Sequence, residues 1–319
     1  MFYERKTVLV TGGTGFVGSH VVEQLLKQGA RVRVPVHHRQ LSVGVGNVET
    51  VVADLTQEKD CLEAARGVDF IFHLAGAVGS AGVSPAYIMS AISTNLTLMS
   101  RVLHAAWYQN VERVLLCGSS TVYPAFKHAV NEEEVWDGPT HPTYFGYGWT
   151  HRYFEKLEEF VTSQSEVKIA QVRATAVYGR RDNFDPANSH VVPSLVRKAV
   201  EKQDPYEVWG TGKEVRDLLH VSDLARGCLL MLEKHANCDP VNIGYGLGTT
   251  IREVATVILK AAGHDNAQVK FNTSRPTAIP FRMVDTSKAK RILDFTPEIS
   301  LEDGLSNTVE WYAANHGKQ

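Results

Sequence analysis

The chain has no apolar run long enough to cross a bilayer, and Met1 to Lys6 lead straight into a strand-like segment without the apolar core of a signal peptide. A cytoplasmic protein with no membrane partner is expected. Cysteine is scarce: Cys61, Cys117, Cys228 and Cys238 show neither C-x-x-C spacing nor the density of a disulfide scaffold, so they read as reduced, mostly buried thiols. The 13 histidines include no H-E-x-x-H, and His37-His38 lacks a partner at ligand spacing, which argues against a metal. Net charge is small, a formal -2, and no basic block could serve a nucleic-acid surface. Repeats and low-complexity segments are missing as well. What is left is a globular composition, 44% hydrophobic over 319 residues, enough for one large core or for two domains sharing a cleft.

Against this background Val8 to Ser19 (VLVTGGTGFVGS) stands out, an apolar strand that turns through glycines into a helix starting near Phe16. Gly13, Gly15 and Gly18 fit G-x-G-x-x-G spacing, and Gly12, Gly15 and Gly18 fit G-x-x-G-x-x-G. A pyrophosphate can rest on free backbone N–H groups at a helix N-terminus only where the turn is tight and no side chain blocks its approach. Gly12, Gly15, Phe16, Val17 and Gly18 are therefore expected to cradle a dinucleotide. The next strand, over 31–36, ends His37-His38-Arg39 with no carboxylate. An NAD site places an acidic side chain there and an NADP site places cations, so Arg39, with His37 or His38, points to NADP ahead of NAD.

Strand and helix patterns then alternate. A strand over 48–53 ends at Asp54-Leu55, a helix covers 58–66, and a strand from Val68 closes in the small residues Leu74-Ala75-Gly76, over which a cofactor can lie flat. A small-residue loop over 79–84 precedes a long helix over 85–109. A strand over 113–117 runs into Gly118-Ser119-Ser120-Thr121, and a Pro-containing loop spans 126–144. An amphipathic helix over 147–163 carries Tyr153, Leu157, Phe160 and Val161 on its apolar side, and a strand covers 168–174. This alternation predicts an α/β fold with a Rossmann-type doubly wound parallel sheet. Beyond Tyr178-Gly179 loops lengthen and prolines recur, with helices over 191–203, 222–234, 251–263 and 286–293. The expected organisation is a dinucleotide-binding domain over 1–179, joined by about 214–243, and a smaller C-terminal α/β substrate lobe from 180–213 and 244–319.

The order of motifs resembles the extended short-chain dehydrogenase/reductase family: the glycine loop, Asp54-Leu55, His73-Leu74-Ala75-Gly76, Ser119-Ser120-Thr121, and Tyr147 with a residue four positions on. The segments Val177 to Phe184, Asn188 to Pro193, Trp209 to Gly212 and Arg216 to Val221 are similar to the GDP-fucose synthase branch, which epimerises and reduces GDP-4-keto-6-deoxymannose with NADPH. The resemblance implies that Asp54 contacts adenine, that Ser119 holds the substrate oxygen, and that Tyr147 gives it a proton as hydride arrives. It places Thr121 and His190 where carbon-bound protons are exchanged, but Thr121 stands where that branch has cysteine. A hydroxyl cannot shuttle a proton near pH 7 as a thiol can. Reduction without epimerisation, or a single-centre inversion using His190, is the expectation; a helix-start or core histidine is the alternative for His190. Arg216 matches the arginine that pairs with phosphate, where a planar fork gives bidentate contact. Asn183 and Trp209 fall in the substrate segments. Arg197, Lys198 and Arg282 are weaker candidates, read as solvated surface cations on helices. Helices 85–109 and 147–163 match the surfaces through which the family forms homodimers.

The family's lysine four residues after the tyrosine is replaced by His151, and Lys156 lies at the wrong phase to substitute. Histidine, with an ordinary pKa of about 6.5, supplies little of the lysine's field near neutrality, so Tyr147 should stay protonated. That penalises alcohol oxidation, which needs tyrosinate, more than ketone reduction, which needs a phenol. The expected enzyme is an NADPH-dependent reductase of a nucleotide-linked 4-keto-6-deoxy sugar, most active at mildly acidic pH. A nucleotide-sugar epimerase that keeps its NAD(P) bound is one alternative. A non-catalytic cofactor sensor on a decayed reductase scaffold is another.

Overall fold

In the computed structural model, which describes residues 1–44, 46–77 and 84–316, the first half of the chain alternates strand and helix. β1 (Thr7–Thr11), α1 (Phe16–Lys27), β2 (Arg31–Val36), β3 (Val48–Val52), α2 (Glu58–Ala64), β4 (Phe70–His73), α3 (Pro85–Tyr108), β5 (Arg113–Ser119), α4 (Phe145–Gln164) and β6 (Lys168–Ala174) follow in order. The remainder holds β7 (Ala176–Tyr178), α5 (Val191–Val200), β8 (Tyr206–Trp209), β9 (Val215–His220), α6 (Val221–Lys234), β10 (Val241–Ile243) and β11 (Gly248–Thr250). It closes with α7 (Ile251–Ala261), β12 (Val269–Asn272), β13 (Phe281–Arg282), α8 (Ser287–Leu293) and α9 (Leu301–His316).

Seven strands pair in parallel in the order β10-β6-β5-β4-β1-β2-β3. Strand side chains alternate between faces, and both faces are covered. Val8, Val10, Phe70 and Phe72 enter one core with Val21 and Leu25 of α1 and Leu229 of α6. Leu9, Ile71, Val114 and Leu116 enter the other with Cys61 of α2, Val102 of α3 and Phe154 of α4. This is the Rossmann-type α/β architecture. The segment after β9 returns to this sheet, since α6 packs on α1 and β10 pairs with β6. β9 itself belongs to a separate sheet with β7, β11 and β13, while β12 pairs with β8. A third core joins α5, α7 and α9.

Three sequence expectations need correction or completion. On α4 the buried apolar side chains are Phe154 and Val161, with Leu157 partly buried beside them, while Tyr153 and Phe160 are exposed; they share an outward face with Phe145 and Trp149. The apolar residues of this helix occupy two faces, and the periodicity expected only one. The loop over 126–144 contains short 3-10 turns at Glu132–Trp136 and Pro142–Tyr144, and Val130 bridges to Val284. α9 was not expected; its polar residues outnumber the buried Leu305, Val309 and Tyr312 that anchor it. The small-residue loop expected over 79–84 lies outside the described residues except for Ser84, whose side chain caps α3 by accepting from the Tyr87 N–H.

Candidate active site

The strand order reverses between β1 and β4, and the crevice beyond their C-terminal ends is where an open α/β sheet takes ligands. The glycine loop fills the base of that crevice. Gly12 has φ +69°, and a Cβ there would meet the Leu74 carbonyl oxygen at 2.6 Å; a Cβ on Gly18 would meet the Gly12 oxygen at 2.1 Å. Any side chain at either position would push α1 and the end of β4 apart. Gly15 is the N-cap of α1 and offers no side-chain cap, so the first-turn N–H groups around Phe16 and Val17 stay available. These features fit a dinucleotide pyrophosphate. Thr11, which the sequence reading missed, organises the opposite wall. Its Oγ1 accepts from the Leu74 and Ala75 N–H groups, each at 3.2 Å, and pairs with His73 Nδ1 at 2.8 Å. Beyond exposed Gly76, the Asn95 side chain exchanges hydrogen bonds of 2.7 and 2.9 Å with the backbone of Ala77.

At the far end of the crevice the rings of His37 and His38 lie 3.7 Å apart between centroids. With Arg39, Gln40, Leu41 and Thr50 they line an open cavity of about 330 Å³. Asp54 is turned to its own chain: Oδ1 accepts from the Thr56 hydroxyl at 2.7 Å and the Thr56 N–H at 3.0 Å, which holds the carboxyl below the usual range. The Leu55 side chain is buried in the α2 core and leaves only its backbone for a ligand.

Ser119 ends β5, and its Oγ accepts from the Thr121 N–H at 3.2 Å. The first turn of α4 packs directly on this bend, because a Cβ on Gly148 would meet the Thr121 oxygen at 2.5 Å. The structure thereby brings Thr121 against the helix that carries Tyr147. Thr121 Oγ1 and the Tyr147 hydroxyl are both buried with no hydrogen-bond partner among the described residues. Burial, aided by the nearby Tyr87, raises the Tyr147 pKa. His151 lies one turn on, edge-on to Phe154, and burial lowers its pKa to about 4. This differs from the part-charged imidazole expected from the sequence: enclosure removes water with no neighbouring charge to offset the loss.

Arg216 and Arg282 face each other in register across β9 and β13. Burial lowers the pKa of both, that of Arg282 to about 10, with the charge of Arg216 adding to its burial. Arg282 is not a solvated helix cation, as the sequence reading had it. It sits on a strand, is 8% exposed, and donates from Nη1 to the Ser120 oxygen at 2.9 Å, leaving Nη2 without a partner among the described residues. The strand was too short to show in the sequence. Arg216 donates to the Val215 oxygen at 2.8 Å. Lys198 is likewise no surface cation: buried on α5, it donates to the Glu207 oxygen at 2.8 Å and lies 6.0 Å from the Trp209 ring, with Arg275 at 5.2 Å. Arg197 pairs with Glu201. His190 is the exposed N-cap residue of α5, so the helix-start position holds and the core position does not. Asn183 is exposed and shapes its own loop by accepting from the Asp185 N–H at 3.1 Å.

Arg152 was also missed. It donates to the Val122 oxygen at 2.9 Å and the Gly138 oxygen at 2.8 Å, and lies 4.9 Å from each of the Trp136 and Trp149 rings, tying the 126–144 loop to α4. Its position one residue past His151, beside exposed aromatics, was the available signal. Among the described residues no group of three His, Cys, Asp or Glu side chains is placed to hold a metal ion, and no helix is long and apolar enough to cross a membrane.

The sequence model of the NAD dependent epimerase/dehydratase family matches residues 8–244. GDP-L-fucose synthase 1 of Arabidopsis thaliana is 32% identical over 97% of this chain and 93% of its own length. The dTDP-4-dehydro-6-deoxy-D-allose reductase of a Streptomyces species is 30% identical over 96% of each chain. Among solved structures, the UDP-glucose 4-epimerase of Thermotoga maritima, determined with UDP-glucose, superposes with a TM-score of 0.86 at 26% identity, covering 97% of this chain and 99% of that one. With that match spanning the glycine crevice, the Ser119 bend and Tyr147, the chain belongs to the NAD-dependent epimerase/dehydratase family.

Proposed function

We propose that this protein reduces a nucleotide-linked 4-keto-6-deoxy sugar with NADPH, the nucleotide being GDP. The observation that carries this reading is the Tyr147 hydroxyl: buried, unpartnered among the described residues, held protonated, and one turn from an imidazole that carries no charge. A phenol in that state is an acid waiting for a basic oxygen, which a reductase presents and an alcohol oxidation does not. The relatives named GDP-L-fucose synthase and dTDP-4-dehydro-6-deoxy-D-allose reductase support the substrate class.

Gly12, Gly15, Phe16, Val17 and Gly18 would hold the pyrophosphate of a nicotinamide dinucleotide, which when bound would supply the hydride. Ser119 Oγ holds the sugar carbonyl, and Tyr147 Oη gives its proton to the oxygen as negative charge grows there. The Thr121 hydroxyl adds a donor at the same bend. Arg216 and the free Nη2 of Arg282 face the diphosphate, and Trp209 packs against the nucleotide end with Lys198 and Arg275 beside it. In this reading Asn183 and His190 belong to a substrate-facing loop, and His190 would serve any inversion of a single centre. Arg39, with His37 and His38, lines a cavity suited to a 2′-phosphate, which favours NADP. In this reading residues 1–179 and about 214–243 bind the dinucleotide, and 180–213 with 244–319 bind the sugar nucleotide. The exposed aromatics Trp107 and Tyr108 on α3 and Phe145, Trp149, Tyr153 and Phe160 on α4 support a homodimer through these two helices, which sedimentation analysis tests directly.

The decisive experiment incubates the protein with NADPH and GDP-4-keto-6-deoxymannose in deuterated water and determines the product by NMR. Stoichiometric NADPH consumption without carbon-bound deuterium indicates reduction alone, and deuterium at one centre indicates a single inversion. No consumption of NADPH sinks the reading. Tightly retained dinucleotide with no net consumption would instead favour an epimerase of the kind that the Thermotoga structure represents.

A further inference from the structure

Behind Tyr147, α4 turns inward a polar face that the reaction above does not use. His151, Glu155 and Glu158 recur at i, i+4 and i+7, a spacing that aligns them along one side of the helix. Glu155 is fully engaged, both its oxygens accepting from Arg173 at 2.8 Å. Glu158 is not. Its side chain lies in a small cavity of the size that holds one water, walled by Met99, Leu116, Gly118 and Phe154, and shared with His151 and Gln171. Glu158 and Gln171 are each 3% exposed, and Glu158 Oε2 and Gln171 Nε2 have no hydrogen-bond partner among the described residues. Two orphaned polar atoms in one closed space are expensive unless something bridges them, and a water needs two to four such partners. The third is at hand: His151 Nδ1 faces Gly118, a wall of the same cavity, 3.9 Å from where its Cβ would stand.

We propose that this cavity is a binding site for a single water that links Glu158 and Gln171 to His151 Nδ1 and fixes His151 as the Nε2–H tautomer. The charges around Glu158 agree. Burial raises its pKa well above the ordinary carboxylic-acid value, the carboxylates of Glu155 and Glu159 add to this, and the neighbouring Gln171 amide and Arg173 oppose them without reversing the direction; the thiol of Cys238 also stands close and has its own pKa pushed up to about 11 by burial. In the proposed arrangement Glu158 carries its proton, and its O–H donates to the water. The water in turn donates to Nδ1, and the imidazole hydrogen stays on Nε2. Glu158 is a positioning residue: it acts on the site only through the orientation and tautomer of His151.

The test needs no substrate, so its failure is distinct from failure of the proposed reaction. The full chain is labelled with ¹⁵N-histidine, long-range ¹H–¹⁵N spectra are recorded from about pH 5.5 to 8, and His151 is assigned with His151→Gln. The expected result is one neutral Nε2–H tautomer across the range in the wild type. Glu158→Gln, whose amide still donates, should keep it, and Glu158→Leu should mix the tautomers. If Glu158→Leu does not fold, Gln171→Leu serves in its place. An Nδ1–H tautomer in the wild type overturns the proposal, as does an unchanged tautomer in the folded leucine variant. A crystal structure without an ordered water between Glu158, Gln171 and His151 would do so as well.

Discussion

The start of α4 and the β9–β13 ribbon handle charge in opposite ways. On α4, burial raises the pKa of Tyr147 and lowers that of His151, so it favours the neutral form of both. On the ribbon, Arg216 and Arg282 stand side by side, and burial erodes the pKa of each without neutralising it, since even the lower of the two remains at about 10. Two adjacent guanidiniums repel, and a dianion between them would offset that repulsion. Under the proposed function the difference separates proton delivery from anion recognition: α4 would act on the sugar oxygen and the ribbon on the diphosphate. Arg282 links the two, because it also binds the Ser120 oxygen at the catalytic bend.

The sharpest way to break this division is to remove the proton donor. Tyr147→Phe should lower turnover by about 10²- to 10⁴-fold while leaving NADPH affinity, measured by fluorescence titration, unchanged. Turnover within tenfold of wild type would mean that another group delivers the proton. The opposite cut, Arg216→Ala, should raise KM by about tenfold to a hundredfold and leave kcat nearly intact, since a charge-assisted hydrogen bond contributes about 1.5 to 3 kcal/mol. A loss confined to kcat would place Arg216 at the reacting centre and erase the contrast.

His151→Lys tests the neutral side from the other direction. With its pKa at about 4, His151 stays neutral from about pH 5.5 to 8, so the wild-type reduction rate should not vary with its titration in that window. A lysine would restore a cation beside Tyr147 and should speed alcohol oxidation by about tenfold, with reduction changed less. The same depressed pKa has a stability consequence. Relative to an unfolded value of about 6.5, neutral His151 contributes up to about 3 kcal/mol that is present above the unfolded pKa and lost as pH falls toward the folded one. The wild-type melting temperature should therefore drop between about pH 6.5 and 4, and His151→Gln should drop less.

How much of this could be read in the sequence follows the same division. The parallel sheet was legible because β1, β4, β5 and β6 are buried on both faces and read as apolar runs, and the glycine loop was legible because the backbone there tolerates no side chain. Arg282 was not legible. It lies on a strand of two residues, too short for any periodicity, and its neighbour Arg216 is 66 positions earlier in the chain, joined to it only by sheet register. His151 was legible as a substitution but not as a charge state, because its pKa depends on enclosure by β5 and β6. Tyr153 and Phe160 misled for a different reason: an apolar residue on an outward face has the same periodicity signal as one facing inward, and only the packing of Phe154 and Val161 tells the two apart.

The smallest effect expected lies farthest from both regions, at the open end of β2. Arg39 is exposed, so under the proposed function its contact with a 2′-phosphate would be screened by water and salt and would contribute about 1 kcal/mol, not the several that a buried pair would. Arg39→Ala should accordingly lower the preference for NADPH over NADH by about fivefold to tenfold, measured as the ratio of kcat/KM values at low ionic strength, and the effect should shrink as salt is raised. His37 and His38 remain in the variant and line the same cavity, so some preference should survive. A variant that favours NADH outright would mean that Arg39 alone sets the choice; an unchanged ratio would move the discrimination away from the end of β2.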